Sequence, residues 1–182
     1  MNRAPTSTLY YADYASPLGI LRLIATEQAL QAIYFPGQDP EDYDRRFAAA
    51  QPALTAAQRQ PLQPYLDWLA LYFSDAHCPP PPAIDFEQLS GTPLQKRVWA
   101  ELCRIPKGQT YSYTQLAEQV QRPQAVRAVA STCGRNPLTV LVPCHRVIAK
   151  SGQLGGYYWG LDIKKALLAW ETQANNFALQ QS

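Results

Sequence analysis

No stretch of this 182-residue chain approaches the roughly 20 apolar residues that a membrane-spanning helix requires. Met1 to Thr6 shows no basic-then-apolar leader pattern, so a soluble, cytoplasmic protein is expected. Cysteine is scarce. Cys78, Cys103, Cys133 and Cys144 form no CxxC and no paired Cys/His spacing, which argues against a zinc site or a redox dithiol and makes reduced thiols the expectation. His77 and Cys78 stand alone in the first half, and no structural metal is expected. What the chain has is apolar content of 47%, enough to bury a real core in one domain or two small packed ones; two are expected.

The net charge of +2 hides an asymmetry. Residues 1–89 carry 5 Arg/Lys against 10 Asp/Glu, whereas residues 90–182 carry 11 against 4. A basic half beside an acidic half points to a polyanion as partner of the second half, although charge alone is equally compatible with an ordinary solvated surface.

Leu9 to Tyr14, Gly19 to Thr26 and Leu30 to Phe35 are short Leu/Ile/Tyr-rich runs punctuated by Ser16-Pro17 and Glu27-Gln28, the pattern of antiparallel strands. Helical spacing follows over Glu41 to Ala50 and from about Pro61 to Phe73, where Leu62, Leu66, Leu69 and Phe73 lie three or four residues apart. The tract Cys78-Pro79-Pro80-Pro81-Pro82 continues neither a helix nor a central strand, because proline lacks the amide donor and fixes φ. These features predict an α+β unit over residues 1–78 and a linker over 79–90.

Thr92-Pro93, a capping hydroxyl and a proline at the first helical position, opens a predicted helix through Leu94, Val98, Leu102 and Ile105. Two shorter helices, about Tyr113 to Val120 and about Pro123 to Cys133, meet at a tight junction and read as helix-turn-helix. In the second, Ala125, Val126, Val129, Ala130 and Cys133 suit burial. Gln124, Arg127, Ala128, Ser131 and Arg135 face outward, a small, basic surface able to approach a phosphate backbone closely, or else an ordinary helix face with incidental arginines.

Pro143-Cys144-His145-Arg146-Val147 carries the chemistry. A thiol becomes a nucleophile when a base accepts its proton, and histidine suits that role near neutral pH. Adjacency alone leaves open a small buried cysteine beside an unrelated histidine. The surrounding order is more specific: Asn136-Pro137, an apolar run from Leu138 to Val142, PCHRV, Gly152, Gly155-Gly156-Tyr157, then a helix from about Asp162 that ends near Trp170-Glu171.

From Thr92 to Glu171 this order resembles the O6-alkylguanine-DNA alkyltransferase family, also called methylated-DNA–protein-cysteine methyltransferases. Ser16-Pro17-Leu18-Gly19-Ile20-Leu21 resembles that family's first hairpin. The resemblance implies a ribonuclease-H-like α+β unit before a winged-helix unit over 91–173, with 174–182 as a tail. It implies irreversible, single-turnover transfer of an alkyl group, chiefly methyl, from O6-alkylguanine in double-stranded DNA to Cys144, by a monomer needing no cofactor. It further implies His145 as the base acting through a water, Glu171 as the carboxylate orienting it, and Tyr113 as the residue that helps rotate the base out and donates a proton. Arg127 would fill the space of the extruded nucleotide, with Gln124, Ala128, Ser131 and Arg135 on the DNA side. Asn136, Val147, Tyr157, Tyr158, Trp159 and Lys164 would form or support the pocket. Glu171, near its helix's C-terminal end, would oppose the macrodipole by ~0.3–1 kcal/mol and be held there by the histidine. Thr139 and Trp159 stand where bulky-group acceptors of the family tend to have proline and glycine, so a narrow pocket is expected. Three rivals share some of these features: a lesion-recognition module on the same scaffold, a helix-turn-helix regulator and a cysteine hydrolase.

Overall fold

The computed structural model describes residues 8–38, 43–74 and 78–179, with only the backbone for 174–179. The first two predicted strands pair as a hairpin, β1 (Tyr10–Ser16) with β2 (Gly19–Ala25), closed at Ser16↔Gly19. Ser16 Oγ accepts from Leu18 N at 3.1 Å and donates to the Gly19 carbonyl at 2.6 Å, and Gly19 supplies the positive φ of 118° that the tight turn needs. β3 (Leu30–Tyr34) adds antiparallel to β2, and β4 (Gln51–Pro52) adds parallel to β1, giving the order β3-β2-β1-β4.

A short α1 (Ala56–Arg59), capped by Thr55, leads into α2 (Gln63–Ser74), which turns Leu66, Trp68, Leu69, Tyr72 and Phe73 inward. The helix expected over Glu41 to Ala50 falls partly outside the described residues; within them Arg45 and Arg46 are helical and residues 47–49 form turns.

The second unit starts at α3 (Pro93–Leu102), whose Thr92 hydroxyl and Gln95 side chain form a reciprocal capping box. β5 (Tyr111–Ser112) precedes α4 (Tyr113–Gln119), capped in the same way by Ser112 and Gln115, and then comes α5 (Val126–Cys133). Residues 123–125, predicted as the first turn of α5, form the inter-helix turn instead, with Gln121 at φ 57°. Trp99, fully buried, donates from Nε1 to the Thr132 carbonyl at 3.3 Å and locks α3 to α5. A 3-10 turn at Cys144–Arg146 leads to β6 (Val147–Ile148), parallel to β5, and the last described element is α6 (Leu161–Leu179).

The two units share one core. Edge strand β3 bonds the segment before Cys144: Ile33 N donates to the Pro137 carbonyl at 2.8 Å and Thr139 N to the Ile33 carbonyl at 3.1 Å. The first sheet thereby shapes the backbone that carries the thiol.

Candidate active site

Residues 136–144 reach the thiol by a strained path. Val140, β-branched and buried, sits at φ 69°, a conformation that costs on the order of 1–3 kcal/mol and persists only where the surroundings enforce it. Asn136 enforces it. Its Oδ1 accepts from Leu138 N at 2.9 Å, and its Nδ2 donates to the Val142 carbonyl at 2.7 Å and to Cys144 Sγ at 3.2 Å. Burial pushes the Cys144 thiol up to about 11, while the Asn136 hydrogen bond and the Lys164 charge favour the thiolate.

Cys144 opens into a cavity of about 320 Å³ bounded by Tyr113, Cys133, Gly134, Gly156, Tyr157 and Tyr158, with Ala130 of α5 at its wall. The Tyr113 hydroxyl lies 3.4 Å from the Gly156 carbonyl, and burial raises it to about 12, so the phenol keeps its proton. A Cβ on Gly155, whose φ is 66°, would come within 3.1 Å of the Tyr113 ring, so glycine is needed there for both conformation and space. The Tyr157 hydroxyl pairs with Thr139 Oγ1 at 3.0 Å.

Behind the thiol lies a buried polar cluster. His145 Nε2 is 2.8 Å from Glu171 Oε1; with the carboxylate as acceptor, Nε2 carries the proton and Nδ1 a lone pair. Nδ1 is buried and makes no hydrogen bond within the protein. Burial lowers the His145 pKa, and Glu171 opposes that shift. Burial alone would raise Glu171, but His145 and then Arg146 hold its carboxyl well below the usual range. With the buried imidazole neutral at neutral pH, Arg146 is the charge that keeps the carboxylate ionised. Arg146 Nε donates to Oε2 at 2.9 Å and Nη2 to Oε1 at 2.8 Å, while Nη1 reaches the Ile105 carbonyl at 2.6 Å.

Glu171 therefore differs from its expected setting. It lies inside α6, which continues to Leu179, and it is fully buried, so it is not at a helix end, and Arg146 joins the expected His145 in holding it. Lys164 is also buried and does not line the cavity; its Nζ bonds the carbonyls of Val147 (2.6 Å), Gly156 (3.3 Å) and Leu154, bracing the loop under Tyr157. Val147 contributes the carbonyl that Lys164 occupies. Trp159, expected at the pocket, is not among the residues that line the cavity. Its indole is turned toward the first unit, 5.6 Å from the Phe35 ring and 5.4 Å from Tyr43, and Tyr158 lines the cavity in its place.

Arg127, Ala128 and Ser131 on α5, Gln124 in the turn before it and Arg135 just after it are all exposed, while Val129, Thr132 and Cys133 of α5 are buried. Sequence reasoning missed Cys133 and Gly134 as cavity walls and Arg146 as the partner of Glu171. Position in α5 and in PCHRV was the available signal for these. Tyr72, whose hydroxyl donates to Glu171 Oε1 at 2.7 Å, carried no such signal.

Residues 93–173 match the family described as 6-O-methylguanine DNA methyltransferase, DNA binding domain, and residues 9–77 match its ribonuclease-like domain. The methylated-DNA–protein-cysteine methyltransferase of Mycolicibacterium paratuberculosis is 38% identical over 162 residues, 88% of this chain and 91% of that one. The regulatory protein ada of Salmonella typhimurium is 52% identical over 85 residues, 47% of this chain. The chain spans 24 to 56% of the lengths of the first curated relatives it matches. Among solved structures, the Mycobacterium tuberculosis O6-methylguanine methyltransferase superposes with a TM-score of 0.74 at 33% identity, covering 92% of this chain and 94% of that one. The Mycobacterium tuberculosis OGT solved in complex with DNA gives 0.72 at 33%, covering 91% and 94%.

Proposed function

The chain belongs to the 6-O-methylguanine DNA methyltransferase family, with a ribonuclease-like N-terminal and a DNA-binding C-terminal domain; from that membership we propose that it repairs O6-alkylguanine in duplex DNA by moving the alkyl group, chiefly methyl, onto its own Cys144. The observation that carries this reading is the thiol at the base of a cavity walled by α5, with the His145 imidazole and its Glu171 carboxylate behind it. We take the units as 1–78 and 91–173, joined by 79–90 and followed by 174–182, and the protein as a cytoplasmic monomer.

A stacked guanine hides its alkyl carbon from a buried thiol, so the nucleotide must leave the helix. Arg127, exposed on α5, fills the gap, and Gln124, Ala128, Ser131 and Arg135 meet the backbone around it. Tyr157 and Tyr158 wall the flipped base, and its amino group is offered the Cys144 carbonyl and the second lone pair of the Val147 carbonyl, whose first is taken by Lys164. His145 Nδ1 takes the thiol proton through one water, and Glu171 stabilises the imidazolium that forms. The sulfur–carbon bond forms as the carbon–O6 bond breaks, and the guanine released as its anion takes a proton from Tyr113, which the thiol's proton replaces in the net reaction. A neutral thioether is a poor leaving group, so each molecule acts once.

Intact-protein mass after mixing with O6-methylguanine DNA tests the reading. We expect the mass of one methyl group on Cys144, at most one per molecule with substrate in excess, and none on Cys144→Ala, which should still bind the lesion. Unchanged mass with tight binding would indicate a recognition module, repeated turnover would exclude self-alkylation, and turnover of an ester or peptide would indicate a hydrolase.

A further inference from the structure

Glu171 receives more donors than a carboxylate needs, and one comes from the other unit. Oε1 accepts from His145 at 2.8 Å, from Arg146 Nη2 at 2.8 Å, from Arg146 Nε at 3.2 Å and from the Tyr72 hydroxyl at 2.7 Å; Oε2 accepts from Arg146 Nε at 2.9 Å and from Gly108 N at 3.2 Å. A carboxylate oxygen has two in-plane lone pairs, so the four donor groups on Oε1, from three residues, compete for the same charge. The phenol thus weakens the acceptor on which the His145 imidazolium would depend. Tyr72 is fully buried, and burial followed by the charge of Glu171 raises it far above its usual value, so it stays a donor at every accessible pH.

Its place is over-determined. The ring packs on Trp68 at 5.0 Å and edge-on to Phe73 at 4.8 Å, and its backbone carbonyl accepts from Trp170 Nε1 at 2.9 Å, one residue before Glu171. The other titratable groups facing this cluster are Arg146 and Cys144 on the 3-10 turn, Lys164 on α6, Lys107 with Nζ 5.0 Å from the Tyr72 ring centre, Tyr157 on the pocket loop and Cys103 after α3. None is removed when the Tyr72 hydroxyl alone is deleted.

We propose that Tyr72 is a positioning residue for the alkyl transfer: from α2 of the N-terminal unit it shares Glu171 Oε1 with His145, and so keeps the imidazole an uncharged base ready to accept the thiol proton. This rests on the function proposed above. It gives the N-terminal unit a part in the chemistry through a single hydroxyl that never touches substrate.

The test reads His145 directly. The chain has two histidines, so His77→Gln leaves one imidazole, whose titration is followed by NMR on the full-length protein without DNA. Tyr72→Phe is expected to raise that titration by roughly half to one pH unit, the scale on which one hydrogen bond to a charged partner moves a pKa. The acid limb of the single-turnover methyl-transfer rate should move up in parallel, with the plateau above it and duplex affinity little changed. If Tyr72→Phe does not fold, a monofluorinated tyrosine at position 72, a stronger donor of nearly the same size, should move the titration the opposite way. A titration unmoved in the variant that folds, with any rate loss uniform across pH, overturns the proposal. A shifted titration in a protein whose parent transfers no methyl group would fault the proposed function and leave the coupling between Tyr72 and His145 standing.

Discussion

At the scale of single residues, the site depends on buried polar groups that pair with one another, while His145 Nδ1 is left without a partner among the described residues. The Glu171–Arg146 pair is the case with the largest expected energetic consequence. Removing one member of a buried ion pair leaves the other uncompensated, typically at 3–5 kcal/mol. We expect Glu171→Gln to lose about that much stability at pH 7, judged by the penalty range for such pairs. Because folding holds the Glu171 carboxyl below its unfolded value, its contribution is full above the ordinary carboxylate range and fades as pH falls through and below it. Denaturant unfolding of parent and variant at pH 7 and at about pH 3, below the ordinary Glu value near 4.3, should therefore show the gap narrowing with acid. A gap that stays constant would mean the loss comes from packing and not from charge. The sequence made Cys144, His145 and Glu171 visible through their order along the chain. It could not reveal Tyr72 or the strained Val140, because a contact 99 residues apart and a forced φ are set by tertiary packing.

Elements with local chemistry were legible. The Thr92-Pro93 start of α3 and the Ser16 to Gly19 turn carry their own caps and hydrogen bonds, and both form where expected. β4 was not legible: two residues pair parallel with β1 only after the chain has returned across the sheet. The β3 contact with the active segment was hidden for the same reason, since Ile33 and Leu138 meet only in the folded molecule. In α5 the two faces separate as the apolar spacing predicts, and the exposed one is small and cationic. Its function has a clean test. Arg127→Ala is expected to slow repair in duplex DNA by tenfold or more, the order of ~1.4 kcal/mol of lost transition-state binding, while reaction with free O6-methylguanine base stays near the parent rate. Free base needs neither unstacking nor a wedge, so equal losses on the two substrates would remove Arg127 from that role.

Over the whole molecule, pocket shape is set by how the two units pack. Phe35, Tyr43 and Tyr158 surround the Trp159 indole in one aromatic cluster, and the Tyr43 hydroxyl donates to the Asn136 carbonyl at 3.2 Å. Trp159 therefore joins the units and leaves cavity width to Tyr158, which is 44% exposed. Trp159→Gly should act mainly on stability, at about 3–5 kcal/mol as for other large buried aromatics cut back to a small residue, with no selective gain for bulky lesions. Tyr158→Ser should do the reverse, costing little stability because the ring is already half in water, and raising the ratio of benzyl to methyl transfer in the same duplex. Thr139→Pro is a poor probe of width, because it deletes the amide that bonds Ile33 and the hydroxyl that pairs with Tyr157. Second-order rates for both lesions, measured beside the melting temperature of each variant, separate the two aromatic positions. If Trp159→Gly widens acceptance and Tyr158→Ser does not, the indole reaches the cavity in solution and the packing described for it is wrong.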